Sequence, residues 1–307
     1  MGKLVIVGSV NIDSIETPFG SAERIPGGSA PFIGLAASYF QVDSCIISVV
    51  GDDFPKDFIS LLQSKGIHTD SIDIIEGEKT FFWAGKYHND MNSRDTLATE
   101  LNVLADFNPI VPDSYKDAEV VMLGNLHPDI QLGVIEQMNA PKLIVLDTMN
   151  FWMDNTLDEL LRVIKKVDVI TINDEEARQL TGEYSLVNAA KKIHEMGPRY
   201  VVIKKGEHGA LLFHNDEMFY APALPLAEVF DPTGAGDTFA GGFTGYLAKT
   251  GDYSFENMKT AIINGSALAS FCVEKFGTER LEDLSRQELH RRLQQFKNLT
   301  QFDIELT

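Results

Sequence analysis

Apolar residues run along the chain in two alternating rhythms. Largely apolar runs stand at 4–10, beginning Leu4-Val5-Ile6-Val7, and again at 44–50, 119–123, 143–147, 167–172 and 200–204. Runs of this length, apolar on both faces, read as buried strands of a parallel sheet. Between them apolar positions return every three or four residues, near 30–40, 55–65, 129–138, 156–165, 174–181 and 186–196. That period predicts helices, and three more, 237–249, 255–273 and 285–297, close the chain. The alternation predicts an α/β fold, a mostly parallel doubly wound sheet with helices on both faces and right-handed crossovers. One stretch breaks the rhythm. Around 72–88 the pattern turns β-rich, and in Lys79–His88 Phe81 and Trp83 share one strand face while Phe82 takes the other. No linker, repeat or low-complexity tract interrupts residues 1–307, which read as one domain.

The richest chemistry lies in Asp231-Pro232-Thr233-Gly234-Ala235-Gly236-Asp237, followed by the helical spacing Phe239, Phe243, Leu247. Gly234, Ala235 and Gly236 carry almost no side chain, so their N–H groups can close on a phosphate where the helix dipole favours negative charge. Asp237 would repel that anion in a pure binding site. It makes sense as a base that removes the proton from a hydroxyl attacking the held phosphate, although an Asp that merely caps the helix fits the same position.

The whole string resembles the C-terminal signature of the ribokinase, or PfkB, carbohydrate kinase family, and other motifs follow in that family's order. The resemblance implies a ribokinase-like fold with a small β lid from about 14–26 and 78–90, with Gly234, Ala235 and Gly236 as the anion hole and Asp237 as base. It assigns Asn11 and Asp13, after the first apolar run, to the substrate, with Asp13 gripping vicinal hydroxyls; an Asx turn is the plain alternative. Gly27-Gly28-Ser29 is similar to the family's diglycine joint. Asn173-Asp174-Glu175-Glu176 matches its Asn-x-x-Glu element, which implies Asn173 and Glu176 around phosphates and a water-bridged magnesium ion. A helix start rich in acids is the alternative there. The turn Lys204-Lys205-Gly206-Glu207-His208-Gly209 is implied to lie against ATP through Gly206 and Gly209, and Asn264 is assigned to the nucleotide too. Lys204 stands where the family usually has Thr or Ser, so it touches a phosphate or is a solvated strand-end charge. A potassium ion beside Asp231 also follows from the resemblance.

Substrate choice rests on fewer residues. The Lys and Asn that free-ribose kinases carry after the diglycine are missing, and Gly-Gly-Ser is more like the nucleoside kinases. Phe32 and Trp83 could then sandwich a purine, an adenosine-like acceptor, while the alternatives are a free sugar or sugar phosphate. Structural packing of the lid aromatics, or a homodimer contact through the lid, is an equal reading. Arg94, in Asp90-Met91-Asn92-Ser93-Arg94-Asp95, could meet a phosphate or pair with Asp90 or Asp95. Asp147-Thr148-Met149-Asn150 matches the family's Asp-x-Asn with one residue too many, leaving Asn150 as a loose contact. A catalytically silent binding protein on the same fold is the competing class.

Composition narrows the field. Net charge is −19, with 26 basic against 45 acidic residues, which disfavours a nucleic-acid partner. Cys45 and Cys272 have neither pairing nor metal spacing and read as buried thiols of a reducing compartment. Met1-Gly2-Lys3 runs straight into the first strand and no apolar run is long enough to cross a bilayer, so a cytoplasmic location without membrane attachment is expected.

Overall fold

The structure, a computed structural model, describes residues 2–301. Met1 and residues 302–307, which the single-domain reading of 1–307 includes, lie outside the described residues. The chain builds two sheets. Strands β1 (Lys3–Val7), β2 (Asn11–Thr17) and β3 (Gly20–Gly27) come first, then β4 (Asp43–Gly51), β5 (Ile67–Ile75), β6 (Phe82–Tyr87) and β7 (Arg94–Glu100). The rest are β8 (Val120–Leu123), β9 (Leu143–Asp147), β10 (Val169–Asn173), β11 (Tyr200–Lys204), β12 (Ala210–His214) and β13 (Glu217–Ala221). The large sheet runs β13-β12-β11-β10-β9-β8-β1-β4-β5, and only the β12 pairings are antiparallel. Strand order reverses beside β1, because β4 follows on one side and β8 on the other. Ligands of open α/β sheets bind in the crevice at such a switch, beyond the carboxyl ends of the strands.

Helices cover both faces. One core joins Leu4, Ile6, Met122, Val145 and Val202 to α1 (Ser29–Ser38), α2 (Lys56–Ser64), α8 (Ala235–Thr250), α9 (Phe255–Cys272), α10 (Glu279–Asp283) and α11 (Arg286–Thr300). The opposite core joins Val5, Val7, Leu123, Leu146 and Ile203 to α3 (Pro128–Gln137), α4 (Asn150–Asn155), α5 (Leu157–Ile164), α6 (Asp174–Thr181) and α7 (Leu186–Met196). Successive residues of each central strand thus feed opposite cores, which is why the runs are apolar throughout. Cys45 and Cys272 are buried free thiols. No described helix is long and apolar enough to cross a membrane.

The small sheet, β3-β2-β6-β7, differs from expectation in two ways. The run at 4–10 is not one strand: β1 stops at Val7, and Asn11 and Asp13 belong to β2, inside the small sheet rather than at the end of β1. The fourth strand, β7, lies beyond the anticipated boundary at 90. As an edge strand with six of its seven residues exposed, it carries no apolar alternation to announce it. The sheet is moored to the C-terminal half. Thr17 Oγ1 donates to Phe230 O at 2.9 Å, and Thr233 Oγ1 donates to Tyr87 Oη at 3.2 Å.

Candidate active site

Three parallel strands end side by side in residues with polar tips. Asp147 closes β9, Asn173 closes β10 and Lys204 closes β11, with Asn173 and Lys204 paired in register. Lys204 Nζ donates to Asp147 Oδ1 at 2.8 Å, and Thr171 Oγ1 donates to the same oxygen at 2.9 Å. Burial pulls the Lys204 pKa down, but the carboxylates of Asp147, Glu176 and Asp237 outweigh it and leave it raised, so the ammonium stays charged. Lys204 is therefore not a solvated strand-end charge. A Cβ added to Gly236 would lie only 3.2 Å from its Nζ, which sets the cation beside the first turn of α8.

Asn173 caps α6. Its Oδ1 accepts from Glu176 N at 2.8 Å, and Glu176 Oε2 accepts from Asn173 N at 3.0 Å, a reciprocal capping box. The helix-start alternative for this motif is thus present, and the cap holds Glu176 at the strand ends. The Glu176 carboxyl is pushed up to about 7, mainly by burial, against the pull of Lys204.

The turn into α8 is built around Asp231, which is fully buried. Its Oδ1 accepts from Thr233 N at 2.8 Å and its Oδ2 from Gly277 N at 2.9 Å. Burial raises its pKa. Gly234 caps α8 at φ 74°, in the left-handed region, and a Cβ there would fall 2.5 Å from the Phe32 ring. Ala235 N closes a turn on Pro232 O at 3.2 Å, while the N–H groups of Gly236 and Asp237 belong to the helix end that has no intrahelical acceptors. The half-buried Asp237 carboxyl is pushed up to about 7, chiefly by burial and then by Asp147, against Lys204 and Arg94. An anion-binding helix end next to a lysine and a carboxyl that titrates near neutrality can hold a phosphate and accept a proton.

Across the crevice Asp13 is buried on β2, and Asn11 Nδ2 donates to its Oδ1. Its carboxyl is also pushed up to about 7, by burial first, with the charges of Asp231 and Asp237 adding to it. The diglycine makes room for it: a Cβ on Gly27 would stand 1.9 Å from Asp13 Oδ2. Gly28, at φ 102°, would drive one into Ser9 O at 2.3 Å and Asn11 Oδ1 at 2.5 Å. Trp83 pairs with Asp13 in register, so both point to one face of the small sheet, and its indole lies flat over Gly85. A cleft of about 540 Å³ opens over the ends of β10 and β11 and the start of α8, lined among others by Tyr87, Arg94, Asn173, Lys204, Gly206 and Gly236, whereas Asp13, Trp83 and Asp237 are not among its lining residues. Gly209 lines it too.

Three expected contacts are corrected. Phe32 is 1% exposed, sealed in the core beneath Gly234, and offers no face to a purine. Ser29 is spent on the loop, where its Oγ accepts from Ser9 N at 3.0 Å and its N donates to Ser9 Oγ at 3.2 Å. Asn264 turns away from the cleft, with its Nδ2 on Thr260 O at 2.9 Å. The cleft face of α9 carries Ser266, Ala269, Ser270 and Val273, and two residues of helix turn Asn264 about 200° from Ser266. Asn150 starts α4 exposed, whereas Asp147, three residues earlier, stands at the centre. Its position closing a buried apolar run was the signal that could have found it.

Residues 1–283 match the model of the pfkB family carbohydrate kinases. A cytidine kinase of Thermococcus kodakarensis is 32% identical over 249 residues, 79% of this chain and 87% of that protein. Two solved structures share the fold. The nucleoside kinase of Methanocaldococcus jannaschii superposes with TM-score 0.77 at 21% identity, covering 96% of this chain and 99% of that one. The Arabidopsis thaliana ribokinase complexed with ribose and ATP gives 0.76 at 21% identity, over 95% and 98%. The chain belongs to the pfkB family of carbohydrate kinases and is an ATP-dependent kinase.

Proposed function

We propose that the protein transfers the γ-phosphoryl group of ATP to a primary hydroxyl of a nucleoside. The observation that carries this reading is the facing pair Asp13 and Asp237. Burial pushes both carboxyls up to about 7, the charge of Asp237 adds to the rise at Asp13, and the α8 anion hole and Lys204 stand beside Asp237. Asp13 takes the ribosyl diol, Asp237 receives the proton of the attacking hydroxyl, and Gly236 N with Lys204 draws the phosphoryl charge. Gly206 and Gly209 bring the backbone against the nucleotide. Asn173 and Glu176 would hold magnesium through water; its charge neutralises the phosphates. The residues fit such an ion: burial holds the Glu176 carboxyl toward its neutral form, which a neighbouring dication would reverse, and magnesium takes few direct protein ligands. Asp231, buried with two N–H donors and no ion pair among the described residues, fits a potassium ion by the same reasoning.

With Phe32 sealed away, a purine sandwich loses one side, and the cytidine kinase relative puts cytidine beside adenosine as acceptor. A homodimer through the lid, with a second copy pairing along the small sheet, is part of the same proposal, because β7 is an unpaired edge.

Two hydroxyls on one buried carboxylate discriminate strongly against an acceptor that lacks one. A 2′-deoxynucleoside should therefore lose about 10²-fold or more in kcat/KM relative to the ribonucleoside, and Asp13→Ala should abolish most of that preference along with most activity. Equal rates on both acceptors would remove Asp13 from the substrate. For Glu176→Gln the magnesium concentration giving half-maximal rate should rise several-fold while the Tm holds; an unchanged titration leaves Glu176 as a cap alone.

A further inference from the structure

The wall of the cleft changes character along its length. Asn173, Lys204 and Gly236 make one part polar, and Leu224, Pro225, Leu226, Val229 and Ala269 make another apolar. A flat heteroaromatic base fits an apolar slot of this kind, with its phosphates toward Lys204 and the α8 N-terminus. Ser266 and Ser270 of α9 are the polar side chains that reach the apolar part. The Ser270 hydroxyl is already committed. It is buried, and its Oγ donates to Ala267 O at 2.7 Å while accepting from Arg292 Nη1 of α11 at 2.8 Å. A hydroxyl has one hydrogen and two lone pairs, so a single lone pair is left for a ligand in the cleft. Swinging the hydrogen that way instead would leave Oγ and Ala267 O, two acceptors, facing each other with no proton between them. Moving Oγ to another rotamer would break the charge-assisted bond from Arg292. That arginine is itself fixed: its Nη2 donates to Glu274 Oε1 at 2.6 Å, and its guanidinium lies 3.7 Å from the centre of the Phe271 ring.

We propose that Ser270 selects the base of the phosphoryl donor, with Arg292 as its positioning residue: the cleft takes a 6-aminopurine nucleotide and turns away a 6-oxopurine one. An adenine 6-amino group donates to the lone pair that Ser270 Oγ presents. A hypoxanthine or guanine brings O6 to the same place, acceptor against acceptor, and leaves both unpaired. This deepens the kinase reading above and rests on the nucleotide occupying this cleft. Arg292 lies outside residues 1–283, which match the pfkB family model, so the tether comes from this chain's own C-terminal helix.

The test is direct binding of ATP and of inosine triphosphate, which exchanges the 6-amino group for a 6-oxo group, to the full chain with magnesium and no acceptor. Wild type, Ser270→Ala and Arg292→Met are compared. Wild type should bind ATP about tenfold or more tighter, the difference between a hydrogen bond made and two buried acceptors opposed. Ser270→Ala should weaken ATP about 3–10-fold and leave the inosine nucleotide within about twofold, so that the preference collapses. Arg292→Met keeps an apolar stem on Phe271, and Glu274 keeps Arg280, whose Nε donates to Glu274 Oε2 at 2.9 Å, so the Tm should change little. The hydroxyl is then free to turn and donate to O6. The inosine nucleotide should therefore tighten several-fold while ATP changes by less than about threefold. Absence of ATP binding, equal affinities in the wild type, or an ATP preference unmoved by Ser270→Ala overturns the assignment. So does an equal loss of both nucleotides in that variant. If the preferences behave as expected and the wild type transfers phosphate to no acceptor, base selection stands and the kinase reading fails, so the two failures are distinct.

Discussion

The Asp237 carboxyl stands near its turning point because burial and Asp147 hold it up while Lys204 and Arg94 hold it down. A base must be ionised to take a proton, so kcat/KM should rise with pH through about 7 and level off above. Stability runs the other way. Asp13, Glu176 and Asp237 all titrate near 7 when folded, against about 4 in an unfolded chain, so the folded state binds more protons between those values. Their contribution is complete below about pH 4 and is lost as pH climbs through about 7. Asp237→Asn removes both effects: turnover should drop about 10²–10⁴-fold, while the ligand-free Tm at about pH 8 should hold or rise. Near-native turnover, or a fall in Tm at that pH, contradicts this account. Asp237 stands out in the sequence because its surroundings form a contiguous string. Phe32 was misread because sequence gives proximity to the diglycine but not the direction of a side chain on α1. Phe32→Ala should thus cost about 3–5 kcal/mol of stability, as a sealed aromatic does, whereas Trp83→Ala should spare stability and raise the acceptor KM. Equal urea midpoints for the two variants would return Phe32 to the substrate.

At the scale of elements, β6 works through an absence. Gly85 leaves the strand bare where the Trp83 indole lies, and a Cβ there would meet ring carbons at 2.2 and 2.4 Å. Gly85→Val should lift the indole off the strand, raising the acceptor KM about tenfold or more with ATP KM unchanged; unaltered acceptor kinetics would show that Trp83 is packing only. The helices and central strands were readable from periodicity because each buries an apolar stripe or both faces. The small sheet was harder. Its hairpin β2–β3 and strand β6 left partial signals, but β7, polar and exposed, left none, and its membership comes from pairing with β6 across the bulge near Gly85. Arg94 and Asn92 were consequently placed in an unassigned cluster when they stand over the cleft.

The candidate site lies where the sheet changes direction, and the alternation of apolar runs was enough to expect the parallel sheet that forms that crevice. What it could not give was which strand-end side chains meet, since Asp147, Asn173 and Lys204 lie far apart in sequence and converge only through parallel register. Under the proposed function, an acidic chain of net charge −19 would receive its anionic nucleotide through local devices, namely the α8 N-terminus and Lys204. The most direct test is ADP release from the full chain with ATP and magnesium, measured in parallel against cytidine, adenosine, ribose and fructose 6-phosphate, for wild type and Asp237→Asn. The account predicts release with a nucleoside well above that with either sugar, and its collapse in the variant. Efficient release with ribose or fructose 6-phosphate and none with any nucleoside, or release that survives Asp237→Asn, would contradict it.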